Sequence, residues 1–139
     1  MRLFLLEDNP ADARLMRVAL DELDVEVIMD HVADVAEAKD HFDACRAGDI
    51  PAPDLAVLDI RLPAGSGHEV LRHIRSMARF TALPVLMLTT SDDADDIEEA
   101  REHGATTYFL KPPDLDGFMD LVRELAAFWF PRTDAPPAS

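Results

Sequence analysis

Five polar side chains that could take part in chemistry each stand at the end of a short apolar run. They are Glu7, Asp8, Asp59, Thr89 and Lys111. Such runs are typical of strands buried on both faces of a parallel sheet, and in these sheets the functional crevice lies beyond the carboxyl ends of the strands. Three carboxylates gathered there repel one another unless a cation or a shared proton compensates. Hard oxygen ligands of this kind suit Mg²⁺, so the sequence predicts a magnesium site with a hydroxyl and an ammonium group beside it.

Asp59 follows the uninterrupted apolar run 55–58 and is the candidate nucleophile. An ionised carboxylate can attack phosphorus directly and form an aspartyl phosphate. Mg²⁺ and Lys111 would then offset charge on the phosphoryl oxygens, and Thr89 would donate a hydrogen bond to one of them. Lys111 is one of two lysines among 13 basic residues, which favours a compact ammonium group at that position. Taken by itself, this stretch leaves open a second interpretation, in which Asp59 only caps the following turn.

Alternating strands and helices are predicted to position these residues. The strands are 3–6, 25–32, 55–58, 83–88 and 106–110, and the helices are 11–23, 33–47, 67–80, 92–103 and 114–128. This alternation indicates parallel strands with helices on both faces. The predicted fold class is α/β, a doubly wound five-stranded parallel sheet formed by residues 1–130, with a flexible C-terminal tail over residues 131–139.

The composition argues against several functional classes. The chain has 139 residues and a net charge of −15, whereas nucleic acids and anionic membranes are bound by basic patches. Cys45 is the single cysteine, which excludes an internal disulfide. No run reaches the roughly 18 apolar residues that cross a bilayer, and the first apolar run is too short for a signal peptide. We therefore expect a soluble cytoplasmic protein.

The order and spacing of these residues resemble the receiver domain of response regulators in two-component signalling. The matching segments are 6–9, 58–63 with the two glycines behind it, 88–90 and 110–112, and the resemblance spans about residues 2–129. It implies the flavodoxin-like (βα)5 receiver fold. It also implies that Asp59 accepts a phosphoryl group from the phosphohistidine of a histidine kinase.

The resemblance further implies roles for individual residues. Asp8, Asp59 and the main-chain carbonyl of Arg61 would bind Mg²⁺, and Glu7 would act on the metal through water. Thr89 and Tyr108 would form the switch that responds to phosphorylation. The Lys111–Pro112 peptide bond would be cis.

Within that family, three short segments are similar to stand-alone regulators paired with bacterial phytochromes. They are residues 9–12, 88–91 and 128–129. The loop 63–67 departs from the family pattern because its residues are smaller, which is expected to loosen the loop without removing a catalytic group.

Three other functions remain open beside the phosphorylation-switched signalling module. A magnesium-dependent phosphohydrolase with an aspartyl nucleophile usually has a second Asp two residues later, where this chain has Arg61. A flavodoxin-type electron carrier would have to place its FMN phosphate against the acidic segment 7–10. A phosphate-independent pseudo-receiver is the third alternative. We expect no turnover of a separate substrate.

Further polar and aromatic groups have interpretations of their own. The five histidines, residues 31, 41, 68, 73 and 103, show no ligand spacing and are predicted to lie at the surface. The acidic run 92–99 is predicted to be a solvated helix start, with a partner-facing patch as the alternative. Phe128, Trp129 and Phe130 stand just before Pro131 and are difficult to bury. They predict a homodimer interface in preference to intramolecular packing.

Overall fold

The computed structural model describes residues 1–23, 26–90 and 94–128. The strands are β1 (Arg2–Leu6), β2 (Ile28–Val32), β3 (Leu55–Asp59), β4 (Val85–Thr89) and β5 (Thr107–Leu110). The helices are α1 (Pro10–Asp21), α2 (Val35–Ala47), α3 (Gly67–Arg75), α4 (Ala94–Glu102) and α5 (Leu115–Phe128). The strands form one parallel sheet in the order β2-β1-β3-β4-β5. The predicted α/β fold class is confirmed.

The apolar runs form the centre of the sheet. Every residue of β3 and β4 is buried, because helices cover both faces of these strands. One core lies between the sheet and helices α1 and α5, and it includes Leu3, Val57 and Phe118. The other lies under α2, α3 and α4, and it includes Phe4 and Phe42. Packing in these two cores holds each strand at a fixed position in the sheet. It therefore also fixes the position of the polar residues that follow the strands.

Several element boundaries differ from the sequence-based expectation. Strand β2 begins at Ile28, and residues 24 and 25 lie outside the described part. Helix α3 ends at Arg75, and a 3₁₀ turn over Ala78–Phe80 follows it. Met77 and Phe80 are nevertheless buried, so the apolar periodicity continues past the end of the α-helix. Periodicity reports which side chains face the core, and it does not report which helical hydrogen bonds form.

Side-chain caps fix the starts of three helices. Asn9 Oδ1 accepts a hydrogen bond from Ala11 N at 2.9 Å, and Pro10 occupies the first turn of α1. Asp34 caps α2 and Ser66 caps α3 in the same way. No helix within the described ranges is both long and apolar enough to cross a bilayer.

Candidate functional site

The strand register brings the predicted site residues to one edge of the sheet. Asp59, the last residue of β3, pairs with Leu88, and Thr89, the last residue of β4, pairs with Leu110. Glu7 and Lys111 directly follow β1 and β5. The carboxyl ends of the strands therefore carry the carboxylates, the hydroxyl and the ammonium group together, as parallel pairing requires.

Lys111 is the centre of this cluster. Its Nζ lies 2.8 Å from Glu7 Oε1, 2.9 Å from Asp12 Oδ2 and 3.0 Å from Asp59 Oδ2. The lysine side chain is 8% exposed, so burial acts to lower its pKa, but the hydrogen bonds to Glu7, Asp12 and Asp59 outweigh burial and raise the pKa of Lys111. The ammonium group therefore stays charged and neutralises part of the acidic cluster.

Asp12 is a member of this cluster that the sequence reasoning missed. It lies in the first turn of α1, three residues after the Asn9 cap. An acidic residue there is common for dipole reasons alone, so only its distance from Lys111 distinguishes it.

Glu7 is a buried carboxylate with a strongly perturbed acidity. Burial raises the pKa of Glu7 to about 7, although hydrogen bonds from Lys111 Nζ and from Asn9 N act to lower it. The negative charge of Asp59 contributes to the rise. A divalent cation at this position would supply the positive charge that the desolvated carboxylate lacks.

Glu7, Asp8 and Asp59 can hold such a cation. One carboxylate oxygen from each residue lies within 4.8 Å of the other two, with Glu7 and Asp59 buried and Asp8 partly exposed. Three hard, anionic oxygens at this spacing are the donor set of a Mg²⁺, Mn²⁺ or Ca²⁺ site with open positions for water or phosphate. The residues therefore fit the metal that the sequence predicted.

The main chain around Asp59 is closely packed. A Cβ atom on Gly67 would lie 2.2 Å from the carbonyl oxygen of Asp59. Gly67 N also donates to Ile60 O at 2.9 Å, and Arg61 forms an isolated bridge with Ser66. The loop 63–67 therefore returns directly against the strand that carries Asp59, and only glycine allows this approach.

The two residues predicted to form the switch, Thr89 and Tyr108, lie on neighbouring strands. Thr89 is buried at the end of β4, and Tyr108 of β5 is 42% exposed. Lys111 N donates to Thr89 O at 2.6 Å, which ties the ends of β4 and β5 together. The prediction of a cis Lys111–Pro112 bond was wrong, because the bond is trans, the form that an X–Pro amide adopts by default.

Two predictions for surface groups also need correction. His68 was predicted to lie at the surface, but it is 4% exposed, because it is on the face of α3 that turns towards α4. Asp96 was predicted to be solvated, but its carboxylate pairs with Arg61 at 2.7 Å. Charge and spacing alone do not reveal which neighbouring element covers a polar residue.

The predicted interface residues cannot be placed. Trp129 and Phe130 lie outside the described residues, as does the tail 131–139, and only the backbone of Phe128 is described. The homodimer stays a prediction.

Comparison with known proteins defines the class of protein to which this chain belongs. Residues 3–123 match the response regulator receiver domain family, and the chain belongs to that family.

Individual relatives are stand-alone regulators in several cases. The chain is 31% identical to response regulator Rcp1 of Synechocystis sp., covering 98% of this chain and 93% of Rcp1. It is 32% identical to the probable methanogenesis regulatory protein FilR2 of Methanothrix harundinacea, over 96% of this chain and 86% of that protein. The crystal structure of the phosphorylated cyanobacterial phytochrome response regulator RcpA superposes with a TM-score of 0.84, at 33% identity over 92% of both chains. The Mn²⁺-bound form of Rcp1 superposes with a TM-score of 0.80, at 27% identity over 97% of this chain and 98% of that one.

Proposed function

We propose that this protein is a response regulator that accepts a phosphoryl group on Asp59 from a histidine kinase in a Mg²⁺-dependent reaction. The observation that carries the proposal is the surroundings of Asp59. Its carboxylate is buried, Lys111 Nζ lies 3.0 Å from Oδ2, and two further carboxylates stand within reach of a shared cation. An aspartate that only capped a turn would need none of these groups.

The transfer step follows from these contacts. A carboxylate oxygen of Asp59 attacks the phosphorus of a phosphohistidine, the P–N bond breaks, and the imidazole leaves with the electron pair. Lys111 stays close to Asp59 and stabilises negative charge on the phosphoryl oxygens. Asp8, Asp59 and the Arg61 carbonyl would hold Mg²⁺, and Glu7 would act on the metal through water. The bound cation would neutralise further negative charge on the phosphoryl oxygens.

Phosphorylation would be read out through the end of β4. A doubly charged phosphoryl group on Asp59 attracts the Thr89 hydroxyl, which is buried on the adjacent strand. Movement of Thr89 leaves space that Tyr108 can fill from its exposed position on β5. The face formed by α4, β5 and α5 would therefore change shape on phosphorylation.

The partners follow from the relatives. Rcp1 and RcpA support a bacterial phytochrome as the histidine kinase, because RcpA is described as a phytochrome response regulator and both match most of this chain. A cytoplasmic location and a homodimer built on α5, Phe128, Trp129 and Phe130 complete the proposal. The net charge of −15 favours no nucleic acid partner.

The enzyme alternative receives less support from the site. A phosphohydrolase with an aspartyl nucleophile usually has a second Asp as acid–base group two residues later, and here the Arg61 side chain at that position is paired with Asp96. We therefore propose that the protein accepts and loses its own phosphoryl group without turning over a separate substrate.

Intact-mass spectrometry after incubation with acetyl phosphate and Mg²⁺ tests the proposal. Wild type should gain the mass of one phosphoryl group, and Asp59→Asn should gain none. Asp120→Asn, which changes an exposed carboxylate in the same way, is the matched control and should behave as wild type. Equal incorporation in Asp59→Asn would refute the assignment, and no incorporation into wild type would favour the pseudo-receiver.

A further inference from the structure

Arg61 connects the candidate phosphoacceptor to helix α4. Its main-chain N–H donates to Asp59 Oδ1 at 3.3 Å, while Lys111 occupies the other oxygen of the same carboxylate. Its guanidinium group donates to Asp96 Oδ2 in α4 at 2.7 Å. One residue therefore joins the reacting carboxylate to a helix that belongs to the proposed output face.

Asp96 also lies close to His68, which is in the first turn of α3. The buried His68 ring places Nε2 3.6 Å from Asp96 Oδ1, and its Nδ1 lies 3.8 Å from Glu99 Oε2. Among the described residues neither ring nitrogen forms a hydrogen bond, and these two carboxylates lie near the ring. The Asp96 side chain is only 20% exposed, whereas the guanidinium side of the pair is open to water.

These contacts line a cleft of about 350 Å³ between the loop after β3 and the start of α4. We call the Arg61, His68 and Asp96 contacts across this cleft the α4 clasp. Ile60, Leu62, Gly65 and Ser66 also line this cleft. The α4 clasp is therefore a set of polar contacts across an open cleft.

We propose that Asp96 is a positioning residue that restrains phosphorylation of Asp59: by holding Arg61, it keeps α4 and the segment after Asp59 in the arrangement of the unphosphorylated protein. The physical reason is a difference between two states. The Arg61–Asp96 ion pair is intact before phosphorylation, and we expect it to be strained after the end of β4 has moved. The pair therefore favours the unphosphorylated state by its interaction energy. This inference rests on the proposed function, since it concerns the regulation of the same site.

The test compares phosphorylation rates of Asp96→Asn and wild type with acetyl phosphate over a range of Mg²⁺ concentrations. Because a partly exposed ion pair is weak, we expect the maximal rate to rise about two- to fivefold in the variant. Comparing the maximal rates at saturating Mg²⁺ separates this effect from a change in metal affinity, because Asp96 holds Arg61 and the Arg61 carbonyl is a proposed metal ligand. The charge exchange Arg61→Glu/Asp96→Arg restores an ion pair and should return the rate towards that of wild type.

Glu98→Gln is the matched control, since it removes one negative charge from a more exposed position of the same helix. An equal acceleration in Glu98→Gln would overturn the inference in favour of a general charge effect on the anionic donor. Amide hydrogen exchange of residues 94–102 in the unphosphorylated protein supplies a readout that needs no phosphorylation. Exchange should be faster in Asp96→Asn and unchanged in Glu98→Gln.

The experiment distinguishes a failure of this inference from a failure of the proposed function. If wild type is phosphorylated normally and Asp96→Asn is phosphorylated at an equal or lower rate, the inference about Asp96 is overturned and the proposed function stands. No uptake in wild type overturns both.

Discussion

At the scale of single residues, the site is a balance between one ammonium group and several carboxylates. Lys111 contacts three acidic side chains, and two of these are almost fully buried. A buried cluster that loses its compensating charge is strongly destabilised, because desolvated carboxylates then repel one another. Lys111 therefore contributes to folding as well as to the proposed chemistry.

Lys111→Met should lower the free energy of unfolding by about 3 kcal/mol in the presence of EDTA. Saturating Mg²⁺ should restore part of the loss, because the cation replaces the missing charge among Glu7, Asp8 and Asp59. Urea denaturation with and without metal measures both effects. Lys39→Met is the control, since Lys39 is a half-exposed lysine whose Nζ lies 3.8 Å from Glu69. Equal losses in the two variants would contradict this account of Lys111.

We expect His41 to make the stability of the fold sensitive to acid. Its ring packs on Phe4 and Phe42, and burial lowers its pKa, although the charge of Asp30 acts to raise it and that of Arg2 to lower it. A histidine whose pKa is lower in the folded state than in the unfolded state binds its proton more readily when unfolded. Its contribution to stability is therefore complete above the unfolded pKa of about 6.5 and is lost as the pH falls through the lower folded value.

His41→Leu should reduce the loss of stability below pH 6.5. The measurement is urea denaturation of both proteins between pH 7.5 and 5, taken as the difference in unfolding free energy at each pH. Parallel curves for wild type and variant would show that His41 is not part of the acid response.

At the scale of elements, the return of the β3–α3 loop depends on Gly67. Because an added Cβ atom would meet the carbonyl oxygen of Asp59, Gly67→Ala must move either the loop or the strand end. We expect a loss of about 2–3 kcal/mol, together with slower phosphorylation of Asp59.

Gly48→Ala is the control for Gly67→Ala. Gly48 ends α2 with a φ of 83° and has open space around its Cβ position, so only backbone strain of about 1 kcal/mol is expected there. Urea denaturation measures both losses. A loss in Gly67→Ala no larger than in Gly48→Ala would contradict the close approach.

The sequence predicted the main elements because their signals are local. The apolar runs of β1, β3 and β4 and the Asn9-Pro10 helix start depend on neighbouring residues alone. The association of Glu7, Asp8, Asp59 and Lys111 also followed, since parallel strands share one edge. Contacts made by long side chains from other elements could not be predicted, and Asp12 with Lys111, Arg61 with Asp96 and the burial of His68 belong to this kind.

At the scale of the whole molecule, the proposed phosphorylation site and the proposed output face lie at different parts of the sheet. The proposed phosphoryl transfer would take place at the carboxyl edge, whereas Tyr108 and Leu110 expose apolar surface on β5 at the sheet margin. The predicted homodimer would use this margin together with α5 and the aromatic residues that follow. Each large aromatic side chain gains roughly 1.5–3 kcal/mol when it leaves water.

Sedimentation at micromolar concentration tests the dimer. Wild type should sediment as a dimer, and Phe128→Ser/Trp129→Ser should sediment as a monomer, because the apolar surface of the interface is lost. Ile28→Ser, which changes an exposed apolar residue of β2 at the opposite end of the sheet from β5, is the control and should remain dimeric. A monomeric wild type, or a dimeric double mutant, would show that these aromatics pack onto their own domain.

The measurement that tests the central claim most directly is chemical location of the phosphoryl group. Protein phosphorylated with acetyl phosphate and Mg²⁺ is reduced with borohydride, which converts an aspartyl phosphate into homoserine, and is then digested and sequenced by tandem mass spectrometry. The account predicts homoserine at position 59, dependent on Mg²⁺ and absent when EDTA is present. Homoserine at Asp8 or another carboxylate, or labelling of Asp59 that is independent of the metal, would contradict it.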